Sequence, residues 1–380
     1  MSNLKKLFLV SGEISGDEHG AALMKALPDL DSSWELSGLG GPKMAAISGE
    51  IENWLDEAAV LGLWEVLKKY SYFSRKMAET VRRIEESEPD GVVLIDYPGF
   101  NLRLAKRLRD GGYKGKLIYY ISPQVWAWKR GRIKTMAELL DLMICIFPFE
   151  KELYEESGLP TVFAGHPLVD SLEEIRRDDI EREEGVIALL PGSREREISA
   201  LFPQMLGSAV LLLKKYPGLQ FETSGATPIL TEKLQSMVDD VGLSEQVSVG
   251  LSTSREIMQR ASVGVVASGT ATLEAACLGL PYCLTYRVAW LTAVAARWLM
   301  SVDFLGIVNV IAGREVVKEL LQNDATAGAI REELERLLTD RKAREALQVE
   351  LSKISVELGG GGAHANAANA LAASLSEAEA

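Results

Sequence analysis

Val186-Ile187-Ala188-Leu189-Leu190-Pro191-Gly192-Ser193-Arg194 is the stretch that decides the fold. Five apolar residues run without alternation into a Pro-Gly break, and a helical pattern starts directly after it. An unbroken apolar run is what a strand buried on both faces requires, and such strands belong to parallel sheets. The run opens a series. Leu219–Thr223, Val247–Val249, Val263–Ala267 and Tyr282–Tyr286 read as further strands, each separated from the last by a helix. The same rhythm occurs upstream, in Leu7–Val10, Val92–Ile95, Leu117–Ile121, Leu142–Phe147 and Thr161–Ala164. Between the two series, Asp170–Gly185 is dense in charge and reads as a solvated helix or linker. The sequence therefore predicts an α/β protein of two doubly wound, Rossmann-like domains facing a central cleft.

Composition agrees with two domains and excludes several functions. The chain has 380 residues, 47% hydrophobic and 25% charged, which is globular composition. It carries 41 basic and 54 acidic residues, for a net charge of −13. A nucleic-acid partner is therefore not expected, because phosphate binding shows as a basic excess. Leu7-Phe8-Leu9-Val10 is too short for the apolar region of a signal peptide, and no run reaches the ~18 residues of a spanning helix. Cys145, Cys277 and Cys283 have no metal spacing and read as buried, reduced thiols. The three histidines, at 19, 166 and 364, are far apart in sequence, so a His/Cys metal site is not expected.

Ligands of open α/β sheets sit at the carboxyl ends of the strands, so the turns there carry the chemistry. The first is Ser11-Gly12-Glu13-Ile14-Ser15-Gly16-Asp17, in which Asp17 suits a cap of the following helix. Neither it nor Gly38-Leu39-Gly40-Gly41 has dinucleotide spacing, which argues against nicotinamide or flavin. The second is Asp96-Tyr97-Pro98-Gly99-Phe100-Asn101. A carboxylate at the end of Val92–Ile95 can take a proton from an attacking hydroxyl, and it also suits a helix N-cap or Asx-turn. The third, Ser122–Arg132, sets Trp126 and Trp128 among Lys129, Arg130 and Arg132. Aromatic faces suit sugar rings or acyl chains, and cations suit phosphate; packing beneath a loop is the plainer role for the tryptophans. The fourth, Gly192-Ser193-Arg194 at a helix start, reads as a pyrophosphate site. The fifth, Ser268-Gly269-Thr270, offers donors to phosphate, and Glu274 can accept from ribose hydroxyls or complement the helix dipole. His166, in Gly165-His166-Pro167, ends a strand and is a weaker candidate, and spacing alone says little about Asn309.

Together the turns are more specific than any one of them. GEISGD at 12–17, GLGGPKM at 38–44, DYPGFN at 96–101, SPQVWAWKRGR at 122–132, FPFEKELY at 147–154, GHP at 165–167, LLPGSREREI at 189–198, ASGTATLEA at 267–275 and NVIAGREVVKELLQ at 309–322 occur in this order. They resemble the lipid-A-disaccharide synthase family of glycosyltransferases, from about residue 7 to about residue 325. The resemblance implies a GT-B fold. Its first domain, 1–169 plus a returning C-terminal helix at about 345–380, would bind the acceptor and lipid, and 170–344 would bind the donor. UDP-2,3-diacylglucosamine and lipid X would be the substrates, and no metal or other cofactor is required. Asp96, Glu13 and Ser15 fall on catalytic motifs. Gly192, Ser193, Arg194, Ser268, Gly269, Thr270, Glu274 and Asn309 fall on the donor side. Trp126, Trp128, Arg130 and His166 fall on the acceptor and lipid side. The polar strand end Glu222-Thr223-Ser224-Gly225-Ala226 departs from the pattern.

Acylated substrates demand a membrane-facing surface. Leu63, Val66, Leu67, Tyr70, Phe73 and Met77 recur at helical spacing beside Lys68, Lys69, Arg75 and Lys76, which fits an anionic inner-membrane surface, reached from the cytoplasm. Trp290–Met300 is a second apolar stretch. The same stripes suit ordinary core-facing helices. A second copy of the chain, forming a homodimer, is one candidate partner, and the sequence leaves the oligomeric state open. Rivals on this fold are other GT-B transferases, a UDP-sugar 2-epimerase and a non-catalytic binding module.

Overall fold

The computed structural model describes residues 4–27, 33–55, 63–128, 130–177, 180–287 and 303–376, and of 63–70 the backbone only. They form two compact units, Met1–Pro167 with Gly359–Ala380, and Leu168–Leu358.

Unit 1 runs β1 (Leu4–Ser11), α1 (Ile14–Ala26), β2 (Ser33–Gly40), α2 (Pro42–Ala45), β3 (Ile51–Asn53), α3 (Leu63–Ser87), β4 (Gly91–Ile95), α4 (Pro98–Asp110), β5 (Lys116–Tyr120), α5 (Arg132–Leu139), β6 (Leu142–Cys145), α6 (Pro148–Glu155) and β7 (Thr161–Phe163). Its sheet has the order β3-β2-β1-β4-β5-β6-β7, with all neighbours parallel. The unbroken apolar runs occupy the middle. Val92, Val93, Leu94 and Ile95 are all 0% exposed, as burial on both faces requires. Each such side chain contributes about 1.5–3 kcal/mol of transfer free energy.

After α7 (Pro167–Glu173), unit 2 repeats the pattern with β8 (Glu183–Leu190), α8 (Glu195–Leu213), β9 (Gln220–Gly225), α9 (Pro228–Asp240), β10 (Val247–Leu251), α10 (Ser254–Arg260), β11 (Ala261–Ala267), α11 (Thr270–Cys277), β12 (Tyr282–Tyr286), α12 (Ile307–Ala312), β13 (Glu319–Leu321), α13 (Ala327–Thr339) and α14 (Arg341–Glu357). Its order is β10-β9-β8-β11-β12-β13, again parallel. α15 (Ala363–Ser376) then packs on α1 in unit 1, burying Ala363, Ala367, Ala368, Leu371 and Leu375.

Three local features differ from expectation. The chain returns to unit 1 at Gly359, so α14 packs within unit 2, against α11, α12 and α13, and not with the first unit from residue 345. The charged linker is not wholly solvated. The Arg182 guanidinium donates to the carbonyls of Met258, Ala261 and Leu278 at 2.5–2.8 Å, and tethers the entry to unit 2. In α3, Met77 is buried and Phe73 packs on the core, while Lys76 is 7% exposed and donates to Glu52 at 2.5 Å. This end of the stripe therefore faces the core, and Lys76 is not part of a solvent-facing basic surface. The side chains of Leu63, Val66, Leu67, Lys68, Lys69 and Tyr70, and all of Trp290–Met300, lie outside the described residues. Among the described residues no helix is long and apolar enough to cross a membrane.

Candidate active site

Each sheet reverses its winding beside its first strand, between β1 and β4 in unit 1 and between β8 and β11 in unit 2. Ligands bind outside the carboxyl ends of strands at such switch points. Glu13 and Asp96 stand at the first of these, and Gly192, Ser193, Arg194, Ser268, Gly269 and Thr270 at the second, whereas Trp126, Trp128, Arg130, His166 and Asn309 lie elsewhere.

In unit 1, Glu13 follows β1, and Glu13 and Ser15 are exposed at the start of α1. Asp96 follows β4. Asp96 and Tyr97 have φ of 44° and 48°, two successive non-glycine residues in the left-handed region. Such residues cost of order 1–3 kcal/mol each and persist only where the surroundings hold them. Buried Asn101 donates through Nδ2 to the carbonyls of Asp96 (2.7 Å) and Ile95 (3.1 Å), and the Tyr119 hydroxyl donates to the Asp96 carbonyl at 2.5 Å. The Tyr97 ring meets Trp54 edge-on at 6.1 Å, and Trp54 Nε1 donates to the Ser11 carbonyl at 2.6 Å. The ends of β1 and β4 are thus laced together. The N-cap residue of α4 is Tyr97 and it makes no side-chain cap, so the Asp96 carboxylate is not spent on capping that helix. Burial raises the Asp96 carboxyl to about 6, the negative charge of Glu13 adds to the rise, and the Tyr97 N–H opposes it. A carboxylate in that range is ionised at neutral pH and basic enough to accept a proton.

The neighbouring loops show which predicted residues are structural. Asp17, 2% exposed, accepts from the N–H groups of Gly41 (2.8 Å), Lys43 (2.9 Å) and Met44 (3.0 Å). It therefore caps α2 and ties the 38–44 loop to α1, instead of capping its own helix. Trp126 is 6% exposed and donates through Nε1 to Glu150 at 3.0 Å, which makes it the anchor of the 122–131 loop. Trp128, 44% exposed, and exposed Arg130 stand on that loop. The His166 ring lies 5.0 Å from Phe147, and burial first, then His19, lowers its pKa to about 4, so it is a neutral imidazole.

In unit 2 the turns line a cavity of about 670 Å³. It brings together the predicted Gly192, Ser193, Arg194, Ser268, Gly269, Thr270 and Glu274, with Ser224 of the departing polar strand end, and adds Ser252 and Arg255, which the sequence reading did not single out. These too stand at strand ends: Ser224 at the end of β9, and the missed Ser252 and Arg255 just after β10. Gly269 has φ 141° and ψ −162°, a region nearly closed to residues with a Cβ. Gly192 has φ 104°. These conformations carry the chain from β11 and β8 into α11 and α8, whose free N–H groups and positive dipole ends favour an anion. Arg194 is the N-cap residue of α8, its side chain is 82% exposed, and Nη1 lies 3.1 Å from Glu197. The polar strand end 222–226 has a structural account. Glu222 pairs with Arg260 at 2.5 Å, and the Ser224 hydroxyl accepts from Thr253 N at 2.9 Å. Asn309 is 1% exposed and lies outside the cavity lining. It donates to Val317 O and Glu319 and accepts from the N–H groups of Val316 and Val317, so it shapes a loop. Among the described residues, no group of three or more His, Cys, Asp or Glu could hold a metal ion.

Two parallel sheets of this order, each with its polar turn residues at the switch point, make up the GT-B fold. Solved structures agree on the fold. The putative UDP-N-acetylglucosamine 2-epimerase of Listeria monocytogenes superposes with a TM-score of 0.63 at 13% identity, covering 99% of this chain and 97% of that one. The UDP-GlcNAc 2-epimerase of Neisseria meningitidis superposes with a TM-score of 0.58 at 13% identity, covering 98% and 99%. Sequence gives the family. The model of the lipid-A-disaccharide synthetase family matches residues 7–373. Lipid-A-disaccharide synthases of Geobacter metallireducens (40% identical; 94% of each chain) and Coxiella burnetii strain CbuG_Q212 (36%; 98% of each chain) are among the relatives. The chain belongs to the lipid-A-disaccharide synthetase family, glycosyltransferases of lipid A biosynthesis.

Proposed function

We propose that the chain transfers 2,3-diacylglucosamine from its UDP conjugate to the 6-hydroxyl of 2,3-diacylglucosamine 1-phosphate, lipid X. The reaction inverts the anomeric centre and yields the β(1→6)-linked disaccharide 1-phosphate and UDP. The observation that carries this reading is that each sheet has its polar residues at its switch point, a base in one and an anion site in the other. Unit 1 binds the acceptor and unit 2 the donor.

Asp96 accepts the proton of the 6-hydroxyl as that oxygen attacks the anomeric carbon. Glu13 tunes it through charge, and Ser15 follows Glu13 on the first turn of α1. The bond to the UDP oxygen breaks, and negative charge grows on the departing diphosphate. The turns Gly192-Ser193-Arg194 and Ser268-Gly269-Thr270 receive that charge with backbone N–H groups, hydroxyls and the Arg194 guanidinium. A preorganised donor of this kind contributes about 2.7–4 kcal/mol to the transition state. Glu274 accepts from the ribose hydroxyls. Asn309 acts through the loop it holds.

Trp128 and Arg130 offer an exposed aromatic–cationic pair to the acceptor and its lipid chains, with His166 as a neutral hydrogen-bonding neighbour. The acyl chains favour peripheral association with the cytoplasmic face of the inner membrane, and a homodimer is compatible with this arrangement. UDP release from UDP-2,3-diacylglucosamine, measured in detergent and EDTA with and without lipid X, tests the reading. Release that requires lipid X and survives EDTA is expected. Release that ignores lipid X, or none from folded protein that binds UDP, would contradict it.

A further inference from the structure

The donor cavity contains a contradiction in charge. A cavity meant for a diphosphate is lined by Glu274, a carboxylate only 14% exposed. An uncompensated, largely buried carboxylate there would repel an anionic ligand. Arg255, on the first turn of α10 and also lining the cavity, resolves the conflict. Its Nε and Nη2 donate to one oxygen of Glu274, Oε1, at 2.9 and 2.7 Å. Two donors from one planar guanidinium hold that oxygen in place and offset the carboxylate's charge. Glu274 Oε2 takes no hydrogen bond from the described residues, so one oxygen is pinned and the other is left as an acceptor in the cavity. The loop beneath Arg255 is itself built rigidly. Ser252 has φ 56°, and Thr253 N donates to Ser224 Oγ at 2.9 Å.

We propose that Arg255 is a positioning residue for pentose recognition. By holding Glu274 through Oε1, it aims Oε2 at the vicinal hydroxyls of a ribonucleoside diphosphate and lets the enzyme reject the deoxy sugar. The inference rests on the donor reading of this cavity. A held carboxylate acceptor discriminates strongly, because a hydrogen bond to a carboxylate is worth about ten-fold or more in affinity.

Calorimetric titration of the full-length protein with UDP, 2′-deoxy-UDP and 3′-deoxy-UDP tests it. Wild type should bind UDP about ten-fold more tightly than at least one deoxy analogue. In Arg255→Met the ratio should collapse to near one, while the lost charge lowers all three affinities together. Arg255→Lys, which keeps the charge and loses the two-pronged grip, should give an intermediate ratio with deoxy affinities near wild type. A merely structural role would weaken UDP and its analogues alike and leave the ratio unchanged in both variants, and that result would overturn the proposal. Wild type binding all three ligands equally would also overturn it while leaving the donor site standing. Wild type binding none of them would remove the donor reading and this inference with it. Should Arg255→Met fail to fold, the ratio in Arg255→Lys decides alone.

Discussion

At the scale of single residues, the account turns on one carboxyl group and what surrounds it. Asp96 sits in a left-handed conformation that Asp and Asn tolerate better than most residues. Burial and Glu13 together raise its pKa to about 6. As the proposed base, Asp96 must be ionised to act, so kcat should fall as pH drops through about 6 and level off above it. The sign for Glu13 follows. Its negative charge favours the protonated form of Asp96, so removing that charge lowers the Asp96 pKa. In Glu13→Gln the acid limb of the kcat–pH profile should move to lower pH. A limb that does not move, or moves up, would show that another group sets it. Stopped UDP-release assays across pH 4.5–8.5 would read both profiles.

At the scale of elements, unit 1 gathers all three histidines of the chain. His19 in α1 and His364 in α15 have ring centroids 5.6 Å apart, and the Tyr120 hydroxyl is 2.9 Å from His364 Nδ1. Burial lowers the His19 pKa to about 4, with His364 adding and Glu18 opposing, and burial likewise lowers His166 to about 4. A histidine free in the unfolded chain titrates near 6.5, so between about 6.5 and 4 the unfolded state binds more protons. The stability from the neutral histidines is present above 6.5 and is lost as pH falls toward 4. At pH 5 the loss is on the order of 2 kcal/mol per histidine. Thermal melts at pH 7.5 and 5 should show unit 1 destabilised by acid, and His19→Gln should shrink that difference. An unchanged difference would mean that His19 is not the titrating group. This cluster was not legible in the sequence. The residues lie at 19, 166 and 364, and only the return of α15 to unit 1 brings the third to the first.

The same reason explains which elements sequence revealed. β4 and β8 announce themselves because two-sided burial demands unbroken apolar runs. β2 (Ser33–Gly40) was not legible, because its first five residues are at least partly exposed and it carries Ser, Glu and Gly. β13 is three residues long and begins with Glu319, whose carboxylate accepts from Leu305 N, Gly306 N and Asn309. The Gly-rich anion turns were readable because a strand, a glycine and a helix start are local features. Arg255 was not, because its meaning comes from Glu274 across the cavity.

At the scale of the whole molecule, the proposed reaction is divided between two similar sheets. The proposed base belongs to unit 1 and the cavity proposed for the diphosphate to unit 2, so a change at the base should leave donor binding untouched. Asp96→Asn is the variant that separates them, since Asn keeps the volume and tolerates the backbone conformation. The measurement is kcat with UDP-2,3-diacylglucosamine and lipid X beside the UDP dissociation constant of the same preparation. The account predicts that kcat falls about 10²–10⁴-fold, the usual worth of a general base, while UDP affinity stays within about two-fold of wild type. Near-normal turnover in Asp96→Asn would contradict the account.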